Sequence, residues 1–213
     1  AAPREPITAK LVANMLVKAG VDRVLTLDLH AVQVQGFFDI PVDHLAAAPV
    51  LASYFRDQKI EDLVVVSPDL GGVTRARIMA DFLHAPIAII EKRRPAPGQA
   101  EVMNLIGEVD GKTTLLIDDI VDTAGSLCEG AKALKERGAK HVIAACSHAI
   151  LSDPAVERLN ASPIEQLVIT DSIPLPVEKQ SPKIVTLSLA QSLADVIVRI
   201  QSHRSVSLLF NHH

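Results

Sequence analysis

Two spacings of apolar residues alternate along this chain, one typical of helices and one typical of strands. Apolar positions three and four residues apart predict five helices, at residues 7–19, 49–58, 73–83, 126–137 and 189–200. Short apolar runs predict strands at residues 21–29, 63–67, 87–90, 113–117, 141–146, 168–170 and 184–187. Strands that alternate with helices of this length are typical of βα units, so we expect an α/β fold with a largely parallel sheet.

A short similarity links two distant parts of the chain. Residues 19–24 (AGVDRV) and 137–142 (RGAKHV) both lead from a helix into a strand, and at the same offset of 118 the strands end in DLH (28–30) and CSH (146–148). A weaker similarity links residues 60–64 with 164–168. The similarity is either a pattern that is common to βα units in general or a sign of two related domains. In the second case, the first domain lacks its N-terminal half.

Composition excludes several classes of protein. Among 213 residues, 21 Lys and Arg stand against 25 Asp and Glu, and this net charge of −4 disfavours general nucleic-acid binding. The chain has no apolar run long enough for a membrane helix and no signal-peptide pattern. Its two cysteines, Cys128 and Cys146, match neither a disulfide framework nor a zinc pattern. We therefore expect a cytoplasmic protein with neither nucleic-acid nor membrane partners.

The segment with the clearest chemistry is LLIDDIVDTAGS, at residues 115–126. An apolar strand leads into Asp118 and Asp119, then Asp122, and then small and hydroxyl residues that open a helix. The N-terminus of a helix that follows a parallel strand can bind a phosphate group. Carboxylates beside that phosphate would repel it unless they bind ribose hydroxyls or a bridging Mg²⁺. The alternative is that Asp122 and Ser126 only cap the helix, which leaves the two earlier acids unexplained.

Three further segments have both a functional and a structural interpretation. In SPDLGG (67–72), the Gly71–Gly72 turn allows a ligand to approach the backbone closely, although Asp69 could simply cap a turn. His30 follows a strand, where a lone histidine is more often structural. Lys92, Arg93 and Arg94 leave a strand into a proline-rich loop, where three cations are often no more than a solvated turn.

Residues 115–126 resemble the phosphoribosyl-pyrophosphate binding loop of the phosphoribosyltransferase fold. Other segments make the chain similar to the ribose-phosphate pyrophosphokinase family, and they occur in the family's order: REPITAKL (4–11), DLH (28–30), QGFFDIPVD (35–43), SPDLGG (67–72), EKRR (91–94) and SVSLLF (205–210). The resemblance implies a three-layer αβα domain of phosphoribosyltransferase type. It also implies the remnant of a second, related domain.

The resemblance further implies a domain division. Residues 1–46 match the end of an N-terminal phosphoribosyltransferase-like domain, residues 47–188 a C-terminal domain of the same type, and residues 189–213 a helix and tail that pack back on the N-terminal domain. Family members carry a further segment before the position of Ala1, and that segment contributes much of the ATP site. We therefore expect this chain alone to transfer diphosphate poorly.

The implied reaction transfers the β,γ-diphosphoryl group of ATP to the C1 hydroxyl of ribose 5-phosphate, with Mg²⁺ as cofactor and a hexamer as the family's assembly. Lys92 and Arg94 would stabilise charge from a mobile loop, while Asp118 and Asp119 would bind the 2- and 3-hydroxyls. The sugar 5-phosphate would be held by one loop: Asp122, Thr123, Ala124, Gly125 and Ser126. The ATP phosphates and the metal would be contacted by four residues: His30, Asp69, Gly71 and Gly72. Two alternatives are a regulatory subunit without activity and a phosphoribosyltransferase that uses the same loop.

Overall fold

The computed structural model describes residues 7–93 and 102–206. The chain divides into two compact units, with the boundary between Ala47 and Ala48. The first unit contains a helix, a strand, a short 3₁₀ segment and a second strand: α1 (Thr8–Lys18), β1 (Val24–Leu27), Val32–Phe37 and β2 (Val42–Leu45). Strands β1 and β2 are parallel, with Val24 opposite Val42. The first unit thus contains a helix followed by two parallel strands, and a helix followed by parallel strands is also found in the second unit.

The second unit is built on a seven-stranded sheet in the order β5-β4-β3-β6-β7-β8-β9. Its strands are β3 (Leu63–Ser67), β4 (Ile87–Arg93), β5 (Val102–Ile106), β6 (Thr113–Val121), β7 (His141–Ala149), β8 (Gln166–Thr170) and β9 (Ile184–Leu187). Its helices are α2 (Ala48–Asp57), α3 (Val73–Leu83), α4 (Gly125–Glu136), α5 (Ala155–Ala161) and α6 (Ala190–Gln201). All neighbouring strands are parallel except β4 and β5.

Helices cover both faces of this sheet, as the predicted three-layer arrangement requires. Leu116 of β6 belongs to a buried cluster with Leu127 and Leu134 of α4 and Leu159 of α5. Its neighbour Leu115 is equally buried but lies outside that cluster. Because successive strand residues point to opposite faces, Leu115 packs on the other side, where α3 contacts β3 and β6. Sheets buried on both faces give the near-continuous apolar strands seen in the sequence.

The strand order places a crevice between β3 and β6. Chain connections run outward from β3 to β4 on one side and from β6 to β7, β8 and β9 on the other. In open parallel sheets, ligands bind at the carboxyl ends of the strands where the order reverses in this way. The turn after Ser67 and the acids Asp118 and Asp119 both lie at that edge. The fold therefore brings together two segments that are separated by about fifty residues.

The five predicted helices are all present, and α3 has the predicted bounds. The strand predicted at residues 21–29 is shorter, whereas β6 and β7 extend beyond their predicted ends because Ile120 and Val121 still pair with His148 and Ala149. Strands β2 and β5 and helix α5 were not predicted. Within the described ranges, no helix has both the length and the hydropathy to cross a membrane.

The prediction that the chain leaves the strand for a loop at Lys92 was wrong for the backbone of Lys92 and Arg93. Strand β4 continues to Arg93, and these two residues pair with Met103 and Val102 of the antiparallel strand β5. Main-chain hydrogen bonding to a neighbouring strand outweighs the local loop signal of the following prolines. Arg94 lies outside the described residues.

Candidate active site

An acid pair lies within β6, near its carboxyl end. Asp118 is partly exposed, with 28% of its side chain accessible, whereas Asp119 has only 4% accessible. Oδ1 of Asp118 accepts a hydrogen bond from the backbone N–H of Asp119 at 2.9 Å, and Oδ1 of Asp119 accepts one from that of Ile120 at 2.9 Å. Carboxylates buried to this degree need further compensation by a cation or by hydrogen bonds.

Arg75 of α3 supplies a cation to both acids. Its Nη1 lies 3.3 Å from Oδ1 of Asp118, and its Nη2 lies 2.8 Å from Oδ2 of Asp119. The sequence prediction did not include Arg75. A signal was nevertheless present, because Arg75 is the third residue of the helix that follows the Gly71–Gly72 turn, and the first turn of such a helix faces the ligand crevice.

The pKa of Asp118 is perturbed at this site. Burial, followed by a side-chain hydrogen bond with Asp119, raises the pKa of Asp118 to about 6, although Arg75 and the backbone N–H of Asp119 act in the opposite direction. Burial, together with the negative charge of Asp118, also raises the pKa of the Cys146 thiol on the neighbouring strand. Cys146 is therefore an uncharged thiol, and the charge of Asp118 changes within two pH units of neutrality.

The loop predicted to hold a phosphate connects β6 to α4. Asp122, Thr123 and Ser126 are exposed. Ala124, which precedes the helix, has the left-handed φ of 56°, a conformation that costs a non-glycine residue about 1 kcal/mol or more. No side chain caps α4, so the alternative in which Asp122 and Ser126 serve as helix caps is wrong. The loop instead combines strained backbone, exposed hydroxyls and an uncapped helix start, features that suit an anion.

A second arginine supports this loop. Nη1 of Arg158, from α5, donates a hydrogen bond to the carbonyl oxygen of Thr123 at 3.0 Å. Arg158 also lines a cavity of about 490 Å³ together with Thr123, Gly125, Ser126 and Lys132, among others. The cavity beside the start of α4 is therefore lined by two cations and three hydroxyl groups, together with the carboxylate of Glu129. Arg158 was not predicted, because no local sequence feature connects it with a loop 35 residues earlier.

The turn after β3 holds its own aspartate. Oδ1 of Asp69 accepts a hydrogen bond from the backbone N–H of Gly72 at 2.8 Å, and Oγ of Ser67 donates one to the carbonyl oxygen of Asp69 at 2.6 Å. A Cβ atom on Gly72 would lie 2.8 Å from Oγ of Ser67, so glycine is required there. Asp69 therefore caps the turn, as the structural interpretation expected, and is itself exposed to solvent.

The structure gives less information about the other predicted site residues, which are His30, Lys92 and Arg94. His30 is exposed after β1, in the first unit. The acids near it in sequence have local partners: Asp28 accepts a hydrogen bond from the N–H of Ala47, and Asp43 pairs with Arg23. Lys92 is placed only as part of β4, and Arg94 is not described. Within residues 7–93 and 102–206, no three His, Cys, Asp or Glu residues cluster as a metal site.

Comparison with known proteins identifies the family. A profile of the phosphoribosyl synthetase-associated domain matches residues 92–211, more than half of the chain. The chain belongs to the ribose-phosphate pyrophosphokinase family. The predicted resemblance to that family is therefore confirmed.

Individual members of the family are similar over nearly the whole chain. Ribose-phosphate pyrophosphokinases from Oceanobacillus iheyensis and Bacillus subtilis are 60% and 59% identical to it over 208 residues, which is 98% of this chain and 66% of each relative. The crystal structure of phosphoribosylpyrophosphate synthetase from Mycobacterium smegmatis superimposes with a TM-score of 0.87 at 41% identity, over 94% of this chain and 65% of that one. The fold class is therefore confirmed, and the chain spans just under two thirds of these relatives.

Proposed function

We propose that this chain is the sugar-binding part of a ribose-phosphate diphosphokinase, an enzyme that transfers the β,γ-diphosphoryl group of ATP to the C1 hydroxyl of ribose 5-phosphate. The observation that carries the proposal is the acid pair Asp118–Asp119, which a five-residue segment connects to an uncapped helix start at the crevice between β3 and β6. Family membership supports the assignment. The same loop alone would also suit a phosphoribosyltransferase.

Two different parts of the site would bind the two ends of the sugar. Ionised carboxylates accept hydrogen bonds from hydroxyls, so Asp118 and Asp119 would bind the 2- and 3-hydroxyls. The loop from Asp122 to Ser126 would bind the 5-phosphate through backbone N–H groups and hydroxyls at the positive end of α4. Arg158 is hydrogen-bonded to this loop and adds positive charge beside it. The sugar would thereby be fixed at both ends, leaving C1 to react.

In the proposed reaction, the C1 oxygen attacks the β-phosphorus of ATP in line. A new C1–O–P bond forms, the bond from the β-phosphorus to the α,β-bridging oxygen breaks, and AMP leaves with that electron pair while the hydroxyl proton is lost to solvent. Lys92 and Arg94 would stabilise the charge on the transferring group, and Gly71 and Gly72 would contact its oxygens. Positioning and charge stabilisation supply most of the rate enhancement in such transfers.

The site suits a Mg²⁺ ion that takes few of its ligands from the protein. Asp69 offers an exposed carboxylate next to the glycine turn, and magnesium commonly takes one or two carboxylates, with water and substrate phosphates completing its coordination. The ion would neutralise phosphate charge. His30 is proposed to contact the ATP phosphates or the metal.

We also propose a cytoplasmic location and a homo-oligomer, a hexamer as in the family. The domain division 1–46, 47–188 and 189–213 is likewise retained as a proposal, with the two larger segments related in fold.

The first test is calorimetric titration of the 213-residue chain with ribose 5-phosphate. We expect specific binding that inorganic phosphate competes for only weakly, because phosphate lacks the diol. The absence of binding by the folded chain would contradict the proposal. Binding of a purine or pyrimidine base together with phosphoribosyl pyrophosphate, but not of ribose 5-phosphate, would favour a phosphoribosyltransferase instead.

The second test separates catalysis from binding. Lys92→Ala and Arg94→Ala should leave ribose 5-phosphate affinity nearly unchanged but lower kcat for AMP release about 10²- to 10³-fold, since their contacts strengthen in the transition state. The assay uses the chain extended to the length of its relatives, with Arg93→Ala as the matched control. Wild-type kcat in both variants would mean that Lys92 and Arg94 have no catalytic role, and an inactive extended chain that still binds the sugar would favour a regulatory subunit.

A further inference from the structure

Arg75 occupies a position that the proposed reaction leaves without a role. It is the third residue of α3 and follows the Gly71–Gly72 turn. Its Nη1 lies 3.6 Å from the point where a Cβ atom on Gly72 would be. The same Nη1 is 3.3 Å from Oδ1 of Asp118 on β6. Arg75 thus connects the turn at the end of β3 with the acid pair, across the crevice between the two strands.

The geometry of this contact constrains both acids at once. Nη1 approaches Asp118 and Nη2 approaches Asp119, at 3.3 and 2.8 Å. Because a guanidinium group is planar and rigid, two contacts from its two ends fix the relative orientation of the carboxylates. A lysine ammonium would supply the charge but could not supply two donors in one fixed plane. The arginine side chain is 30% exposed, so it lies at the border between the protein interior and the crevice.

The charge of Arg75 is also needed here. Asp119 is 4% exposed, and the charge of a carboxylate that is buried so deeply must be compensated by a cation or by hydrogen bonds. Hydroxyl groups donate hydrogen bonds to ionised carboxylates on all their lone pairs, whereas a protonated carboxyl loses part of that capacity. The acids can therefore bind a diol well only while a cation holds them ionised.

We propose that Arg75 is a positioning residue of the sugar site, which holds Asp118 and Asp119 ionised and oriented to accept hydrogen bonds from the 2- and 3-hydroxyls of ribose 5-phosphate. This inference rests on the proposed function, and it adds a residue that acts through the acid pair. It predicts that Arg75 contributes to selectivity for a sugar with both hydroxyls, beyond any contribution to affinity.

Among residues 7–93 and 102–206, the charged and titratable groups that face Asp118 are Asp119 on its own strand, Arg75 on α3 and Cys146 on β7. Among these side chains, Arg75 lowers the pKa of Asp118, whereas the carboxyl group of Asp119 raises it. Removing the guanidinium therefore raises the pKa of Asp118 further above about 6. Sugar binding, which needs the ionised form, should then be lost at a higher pH as the solution is acidified.

The experiment is calorimetric titration of the 213-residue chain with ribose 5-phosphate and with 2-deoxyribose 5-phosphate, between pH 5.5 and 8.5. The variants are Arg75→Gln and Arg75→Lys, and the control is Arg77→Ala, which changes an exposed arginine on the same helix. Wild type and control should prefer the ribose sugar by about 10- to 100-fold, as expected for one hydrogen bond to a charged group.

Arg75→Gln should lose most of this preference, and its binding midpoint on the acid side should move toward neutral pH. Arg75→Lys should stay closer to wild type in the pH midpoint but still lose preference, because it retains the charge and not the planar pair of donors. A purely structural role would weaken binding of both sugars equally and leave the pH midpoint in place, and that result would overturn the inference. If Arg75→Gln does not fold, as judged by circular dichroism, Arg75→Lys and its loss of preference decide the question.

The two hypotheses fail in distinguishable ways. If the folded wild-type chain binds neither sugar, the proposed function is wrong, and the inference is overturned with it. If wild type binds and prefers ribose 5-phosphate while both Arg75 variants behave like Arg77→Ala, the proposed function stands and the role of Arg75 is refuted.

Discussion

Asp118→Asn should make the ligand-free protein more stable at neutral pH while weakening sugar binding. The fold holds the Asp118 carboxylate at a free-energy cost, because burial and the neighbouring Asp119 raise its pKa from an ordinary 3.8 to about 6. Asparagine has nearly the same shape. Its carbonyl oxygen can still accept hydrogen bonds from Arg75 and from the backbone N–H of Asp119, which reach Oδ1 of Asp118 in the wild type. The substitution therefore removes the charge and keeps the contacts.

The magnitude follows from the difference between the folded and unfolded pKa of Asp118. That difference corresponds to about 3 kcal/mol of unfolding free energy when the carboxyl is ionised in both states. The folded protein binds the Asp118 proton more tightly than the unfolded chain does, so wild type loses stability relative to the variant as pH rises from about 4 to about 6. Asp118→Asn should be more stable by about 3 kcal/mol at pH 7, by about half of that at pH 5, and not at all below about pH 4.

The assay is urea unfolding of the ligand-free chain at pH 5, 6, 7 and 8, with the difference between variants taken at each pH so that all other titrations cancel. Asp81→Asn, at an exposed acid on α3, is the control and should remain within about 0.5 kcal/mol of wild type. A variant that is no more stable than wild type at pH 7, or a difference that does not depend on pH, would refute the account of Asp118. A stabilised variant that binds ribose 5-phosphate poorly would show a trade-off typical of functional sites.

Two further predictions concern the phosphate loop and a turn at the opposite edge of the sheet. Asp122→Asn should weaken calorimetric binding of ribose 5-phosphate more than that of ATP, because the loop is assigned to the sugar phosphate; equal losses would mean that the assignment is wrong. Gly138→Ala should lower unfolding free energy by about 1–3 kcal/mol, since Gly138 has a φ of +86° and an added Cβ would meet Oδ1 of Asp110 at 2.0 Å. Gly20→Ala, with a φ of +96° and no atom within 4 Å of an added Cβ, should show the smaller effect of backbone strain alone, and an equal loss in both variants would argue against the clash.

Most of the architecture could be predicted from the sequence because most helices and strands have a characteristic spacing of apolar residues. The helices were recognisable from apolar spacing over ten residues or more, and the central strands from unbroken apolar runs. The missed elements are those too short or too mixed for such patterns. Strand β2 (Val42–Leu45) is four residues with a charged position, and helix α5 (Ala155–Ala161) makes less than two full turns. The edge strand β5 depends on pairing with β4, which no local pattern shows.

What the sequence by itself determined about the site was its local chemistry: two adjacent acids after an apolar strand, then a loop of small and hydroxyl residues before a helix. Tertiary structure decided which groups act on that chemistry. Arg75 reaches Asp118 across 43 residues of chain, and Arg158 reaches Thr123 across 35. Both contacts exist because the strand order puts β3 beside β6 and packs α5 against α4. The raised pKa of Asp118 comes first from burial, which is a property of the assembled elements and cannot be seen in a local sequence pattern.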